Sequence, residues 1–352
     1  MHTGCDPPTI QLEKEEREYL EKVCVPAFKS LLEHARSYSS AEAEDHLRAF
    51  TDCMALWIRG RQFSSLPTAK LPIGKWAPMT LSINYKASLE DNNVARTVRF
   101  TVEPHKTESM AVLYSLARLL GDPDMSWSDQ VADALLCIHP SLTVFAGIDC
   151  DGPSRKLKTY LNLPKMSDTG ISRNSFVLDT IRNLKNEAHH IDLAPALDLL
   201  EDYLVTPDGS RLFLHPIGMD CPDSSSNKAA RIKIYALLPL CNSWSMVKSV
   251  HTFGGKLTLD QGRKANLEKL RSIWNLLRGE PQELRTEDED FDKPPRYPKH
   301  FVNGLIFSFE LISGQDVPEV KTYVPPYQYS PTDRHIASNI AQDGTKPLMT
   351  IL

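Results

Sequence analysis

The chain has 352 residues, 41% of them hydrophobic and 24% charged. These are ordinary globular proportions, and they exclude a disordered or collagen-like chain. Forty basic against 45 acidic side chains give a net charge of -5, which argues against nucleic acid as a partner unless the cations are concentrated in one place. No apolar run approaches the roughly 18 residues of a membrane span, and residues 1–16 lack the apolar core of a secretory signal. The seven cysteines (5, 24, 53, 137, 150, 221 and 241) are scattered and form no CxxC pair. Neither a zinc knuckle nor a disulfide framework is expected, and the expectation is a reduced, cytoplasmic protein.

Residues 14–38 read as a helix, with Leu20, Val23, Ala27, Leu31 and Leu32 near helical spacing, and 41–58 as a second. The period then changes. Apolar and polar residues alternate over 78–85 and again over 98–102, which predicts two strands around a polar hairpin loop at 87–95. The same order recurs along the chain. Helices at 109–120 and 128–137 precede strands at 142–148 and 156–163; helices at 175–188 and 193–205 precede strands at 211–217 and 230–237. Helices at 243–250 and 265–277 precede strands at 301–311 and 320–324, and a fifth round opens at 332–341.

The predicted organisation is therefore one domain over 1–352, built of helix–helix–strand–strand rounds at about 11–104, 108–163, 174–237 and 243–324, with a partial fifth at 332–352. A period of roughly 80 residues marks a supersecondary repeat. Hairpin-joined strands are antiparallel, which excludes a doubly wound parallel sheet. Residues 220–227 and 280–299 read as surface excursions.

One face of this sheet has unusual contents. Lys158 and Tyr160 share a face of one strand, Arg231, Lys233 and Tyr235 of a second, and Lys321 and Tyr323 of a third; the matching strand of the first round carries Arg99. One Lys-x-Tyr is an ordinary solvated edge. Its return at the same point of successive rounds is not. If the sheet closes with its helices outside, five cations converge, and like charges so placed need an anion among them. The ligand this predicts is a diphosphate. Tyrosine ring faces beside it suit a carbocation, so the chemistry read from the residues is ionisation of an allylic diphosphate.

These residues carry a family resemblance. The chain resembles the aromatic prenyltransferases of the dimethylallyltryptophan synthase type, across nearly its whole length. The landmarks are Pro78-Met79-Thr80-Leu81-Ser82-Ile83-Asn84-Tyr85, Val98-Arg99-Phe100 with Glu103-Pro104, Lys158-Thr159-Tyr160, Arg231-Ile232-Lys233-Ile234-Tyr235, His251-Thr252-Phe253-Gly254-Gly255, and Pro318-Glu319-Val320-Lys321-Thr322-Tyr323. The resemblance implies an α+β fold, the ABBA-type antiparallel β-barrel with helices outside. It implies metal-independent transfer of a prenyl group, dimethylallyl or geranyl, to an aromatic small molecule of secondary metabolism, without a cofactor, by a monomer or homodimer. Carried over by position, Arg99, Lys158, Arg231, Lys233 and Lys321 are the diphosphate-binding residues, and Tyr160, Tyr235 and Tyr323 belong to the tyrosine shield.

Two departures shape the expectation. Thr80 stands where indole-using relatives carry a glutamate, and a hydroxyl cannot replace a carboxylate as acceptor and base; a phenolic acceptor is favoured over tryptophan. Eight strands are read where the family has ten. Two other readings follow from these departures: a terpene cyclase on the same scaffold, or a non-catalytic protein that binds an isoprenoid or aromatic metabolite.

The remaining signals read as structural. Gly254-Gly255-Lys256 lacks Walker A spacing and reads as a tight turn. His189-His190 reads as loop, Trp274 as helix core, and Asp288, Asp290 and Asp292 as a charged loop without a DDxxD cluster. Tyr327 and Tyr329 read as loop residues that rim the cavity or lie on the surface.

Overall fold

The computed structural model describes residues 11–59, 79–87, 94–102, 109–138, 142–163, 172–185, 192–222, 231–280 and 290–342. They form two compact units, one made of the described residues up to 163 with 219–222, the other of 172–218 with 231–342. Within each unit neighbouring strands follow chain order.

The first unit opens with α1 (Lys14–Tyr19), which passes through a π-helical turn, Leu20–Cys24, into α2 (Val25–Ala35). The wider turn precedes Pro26, which has no amide hydrogen for an ordinary helical bond. The predicted helix over 14–38 is thus continuous but ends early, because Arg36 takes a left-handed conformation, φ 52°. Ser39 then caps α3 (Ser40–Ile58): its hydroxyl accepts from the Glu42 amide at 3.3 Å and the Glu42 carboxylate accepts from the Ser39 amide at 2.7 Å.

Strands β1 (Met79–Ala87) and β2 (Val94–Val102) follow, and Pro78, Glu103 and Pro104 of the sequence landmarks lie outside the described residues. Val98, Phe100 and Val102 are wholly buried on the helix side of β2. Phe100 meets Phe28 of α2 and Phe50 of α3 edge-on at 5.3 and 5.0 Å, and those two rings stack at 4.2 Å. Such rings dominate core energetics, and truncating one to alanine costs about 3–5 kcal/mol. The even positions of β2 are thereby committed to the helices, which turns Arg99 to the other face. Helices α4 (Ser109–Leu119) and α5 (Ser126–Ile138) lead to β3 (Thr143–Asp151) and β4 (Ser154–Asn162), and all pairings among β1 to β4 are antiparallel.

The second unit carries α6 (Arg173–Arg182), α7 (Ala194–Leu204), β5 (Phe213–Cys221), whose last three residues belong to the first unit, and β6 (Arg231–Leu238). Asp220 and Cys221, expected in a loop, complete β5; residues 223–230 lie outside the described residues, as do His189-His190 and Asp288. Then come α8 (Trp244–His251), α9 (Gln261–Leu277), β7 (Leu305–Ile312), β8 (Glu319–Tyr323) and α10 (Asp333–Gln342). β7 begins four residues later than predicted, and it pairs antiparallel with β6 and β8. Gly254 and Gly255 form the expected turn, with φ 70° and 89°, and Trp274 is core.

Two loops are bound into the fold more closely than their composition suggests. Asp292 accepts from the Asn242 and Ser243 amides at 2.7 and 2.9 Å, and Asp290 from those of Trp244 and Ser245 at 2.7 and 2.8 Å. This part of the acidic loop lies at the surface, as expected, but is tied to the fold: its carboxylates satisfy the orphan amides at the start of α8, where the helix dipole favours negative charge. Tyr329 is buried among these loops at 4% exposure, whereas Tyr327 is half-buried.

Candidate active site

Strand register assembles the site face of the first unit in two lateral rows. Ser82, Arg99, Asp149 and Lys156 are successive Cα partners across β1 to β4, and Thr80, Thr101, Gly147 and Lys158 form the next row. Arg99 donates to Asp149 through Nε, and through Nη2 at 3.0 Å. Lys158, diagonal to Asp149, places Nζ 2.8 Å from Asp149 Oδ2 and 3.5 Å from Asp220 Oδ1. The Lys158 side chain is only 6% exposed. Burial alone would raise the Asp149 carboxyl; the hydrogen bond from Arg99 and the charges of Lys158 and Arg99 outweigh it and hold the group well below the usual carboxylate range.

Tyr160 lies two residues beyond Lys158, opposite Phe145. A Cβ on Gly147 would stand 2.9 Å from the Tyr160 ring and 3.4 Å from Thr101 Oγ1. The absence of a side chain there lets the ring lie over the strand. Thr80 is exposed on β1, in the row that ends at Lys158.

The second unit repeats the plan. Glu310 on β7 is the Cα partner of Lys233 on β6, and Lys321 on β8 sits diagonally to it, opposite Ser308. Arg231 Nη1 donates to Glu310 Oε1 at 2.7 Å and Lys321 Nζ to Oε2 at 3.0 Å, with Lys233 Nζ 3.5 Å from the same oxygen. Glu310 is wholly buried, while Arg231 and Lys321 are 39% and 51% exposed. Burial would raise the Glu310 carboxyl; the charges of Lys233, Lys321 and Arg231 prevail and lower it. Tyr235 and Tyr323 approach with ring centroids 6.0 Å apart, and the Tyr323 hydroxyl is 3.2 Å from Ser308 Oγ.

The middle residue of each Lys-Thr-Tyr triplet ties the strand to a helix behind it. Thr159 Oγ1 is 2.7 Å from Ser128 Oγ of α5, and Thr322 Oγ1 is 2.8 Å from His251 Nε2 of α8. Burial pushes His251 down to about 4. One face of the triplet thus anchors the strand while the other presents Lys and Tyr.

The structure brings Arg99 and Lys158 together, and separately Arg231, Lys233 and Lys321 with Tyr235 and Tyr323. It corrects the expectation of bare cations awaiting an external anion, because the chain supplies Asp149, Asp220 and Glu310 among them. Sequence reasoning missed these carboxylates. The signal was there: Glu310 is a lone acid in the apolar run 305–312, and it falls on the face that alternation assigns to the cations. Among the described residues, no group of three or more His, Cys, Asp or Glu is placed to hold a metal ion, and no helix is long and apolar enough to cross a membrane.

The tryptophan dimethylallyltransferase family model matches residues 16–343. The chain belongs to the tryptophan dimethylallyltransferase family. It is an aromatic prenyltransferase, an enzyme of secondary metabolism. The O-glucose prenyltransferase PaPT of Phomopsis amygdali is 29% identical over 95% of this chain and 79% of its own length. The indole prenyltransferase tdiB of Emericella nidulans is 34% identical over 62% of this chain, a match that spans 55% of tdiB. Among solved structures, AnaPT from Neosartorya fischeri superposes with a TM-score of 0.67 at 20% identity, covering 94% of this chain and 80% of that one. NotF in complex with brevianamide F and DMSPP superposes with a TM-score of 0.65 at 17% identity, covering 95% and 82%. The α+β, ABBA-type fold implied by the resemblance is the fold of this family member.

Proposed function

We propose that the chain, acting as one catalytic domain over 1–352, transfers a dimethylallyl or geranyl group from its diphosphate to a phenolic acceptor without a metal ion. Arg99, Lys158, Arg231, Lys233 and Lys321 hold the leaving diphosphate. As the allylic C–O bond breaks, its electron pair goes to the diphosphate, whose charge these cations stabilise. Tyr160, Tyr235 and Tyr323 present ring faces to the allyl cation and keep water from it. The acceptor's π electrons form the new C–C bond, and the ring then passes its proton to the released diphosphate. Thr80 anchors the acceptor by a hydroxyl, so the acceptor's own oxygen supplies the activation that a glutamate supplies to indole. The observation that carries this reading is the buried lysine at each carboxylate, Lys158 and Lys233, each with a tyrosine two residues further along the same face.

A second reading is transfer to a sugar hydroxyl. PaPT is an O-glucose prenyltransferase by name, and the site face near Thr80 carries Ser82 and Thr101, neutral hydroxyls suited to a polyol. One experiment separates the two. The protein is incubated with dimethylallyl or geranyl diphosphate, with phenols, indoles or phenyl glucosides, with and without chelator, and the products are resolved by mass. A prenylated phenol ring formed in chelator is the expected result. O-prenylated sugar as the main product replaces the first reading by the second. Cyclised terpene, or no turnover with any acceptor, overturns both.

A further inference from the structure

A wholly buried carboxylate in a site for a diphosphate is at first sight misplaced, because it repels the ligand. Glu310 cannot be a ligand of that substrate, and burying it bare would cost several kcal/mol. Its surroundings explain it. β6 supplies Arg231 and Lys233, and β8 supplies Lys321, all within 3.5 Å of its two oxygens. The other ionisable group facing it across β8 is Glu319, its direct Cα partner, which is exposed; along its own face Ser308 leads to the Tyr323 phenol, with Tyr235 beside it. His251 lies on the opposite face of β8, bonded to Thr322.

We propose that Glu310 is a positioning residue for diphosphate binding: it gathers Arg231, Lys233 and Lys321 from two flanking strands around one negative charge and keeps the buried Lys233 charged. This rests on the proposed diphosphate-binding role of those three cations. The geometry supports it in two ways. Three cations drawn from neighbouring strands repel one another, and the Lys233 side chain is only 9% exposed, so without a carboxylate the cheaper state is a neutral lysine. In addition, a lysine holds three N–H donors. The contact with Glu310 engages one donor of the half-exposed Lys321 and fixes the direction of the others.

The test is calorimetric titration of the full chain with inorganic pyrophosphate between pH 6 and 10, for the native protein, Glu310→Gln and Glu310→Asp. Glu310→Gln keeps the shape and removes the charge. Its binding is expected to be at least about tenfold weaker than native at pH 6, because the cations lose the charge that gathers them, and to weaken further as the pH rises, with its alkaline limb displaced below the native one. Glu310→Asp keeps the charge on a shorter stem. It is expected to keep the native alkaline limb and to bind at least about tenfold more weakly at every pH, since the shorter stem no longer reaches all three cations. An unmoved limb in Glu310→Gln, or tighter binding at all pH values, overturns the positioning role. Should Glu310→Gln fail to fold, native affinity in Glu310→Asp overturns it alone. No pyrophosphate binding by the native protein is a different failure: it removes the diphosphate reading itself, and the inference with it.

Discussion

Asp149 and Glu310 occupy the same place in their respective units. Each sits on a middle strand, faces a cation directly across the preceding strand (Arg99 or Lys233), and meets a lysine set diagonally on the following strand (Lys158 or Lys321). The surroundings differ. Around Asp149 every partner is largely buried, and Lys158 lies between two carboxylates. Around Glu310 the carboxylate is the buried element, while Arg231 and Lys321 reach toward solvent. The neighbouring positions diverge as well: Gly147 and Thr101 in the first unit stand where the second has Ser308 and Tyr235. One repeat plan therefore yields two kinds of cluster. A short aspartate holds its cations close and inside; a longer glutamate reaches cations that keep some of their donors in water.

This contrast can be broken by substitution. Asp149→Asn removes the charge that Lys158 and Arg99 share in a buried setting and is expected to cost about 3–5 kcal/mol of stability in urea unfolding, whereas Glu310→Gln costs less because Arg231 and Lys321 can turn outward. A larger loss for Glu310→Gln would reverse the distinction. In activity, Lys158→Ala is expected to lower kcat/KM by an amount corresponding to about 2–5 kcal/mol, as truncating a buried charge partner does. Lys321→Ala, half-exposed, should lose on the order of 1 kcal/mol. Equal losses in steady-state assays would show that exposure does not grade these contacts.

A third test uses the face behind the triplets. His251 bonds Thr322 where Ser128 bonds Thr159, so only the second unit's anchor titrates. His251 is pushed down to about 4 by burial, against about 6.5 when unfolded. Between those values the unfolded chain binds the extra proton. Stability should therefore fall as pH drops from about 6.5 toward 4, by on the order of 2–3 kcal/mol from this group. His215, also pushed to about 4 by burial and the charge of Arg173, acts with the same sign. Melting curves of His251→Gln should show a shallower fall; an unchanged fall would mean that His251 is not the group responsible. A comparably modest effect is expected from Gly147→Ala, about 1–2 kcal/mol of stability through displacement of the Tyr160 ring, seen as a melting temperature lowered by a few degrees.

The repeat order, the antiparallel pairing and the sidedness of Lys158, Lys233 and Lys321 were legible in the sequence, because strand alternation has a period of two and the rounds repeat it. Thr80 could be read only as a position, and it lies in the row that leads to Lys158. The helix end at Ala35, the capping role of Asp290 and Asp292, and the burial of Tyr329 were not legible. Each depends on a partner distant in the chain or on a single backbone rotation that leaves no periodic trace.

By itself the sequence determined which residues share a face, since side-chain direction follows from local backbone geometry. Only the tertiary structure decided what those residues face: which acid pairs with which cation, how deeply each is buried, and therefore which lysine is held and which stays half in water. Register and burial come from long-range pairing, and no local pattern encodes them.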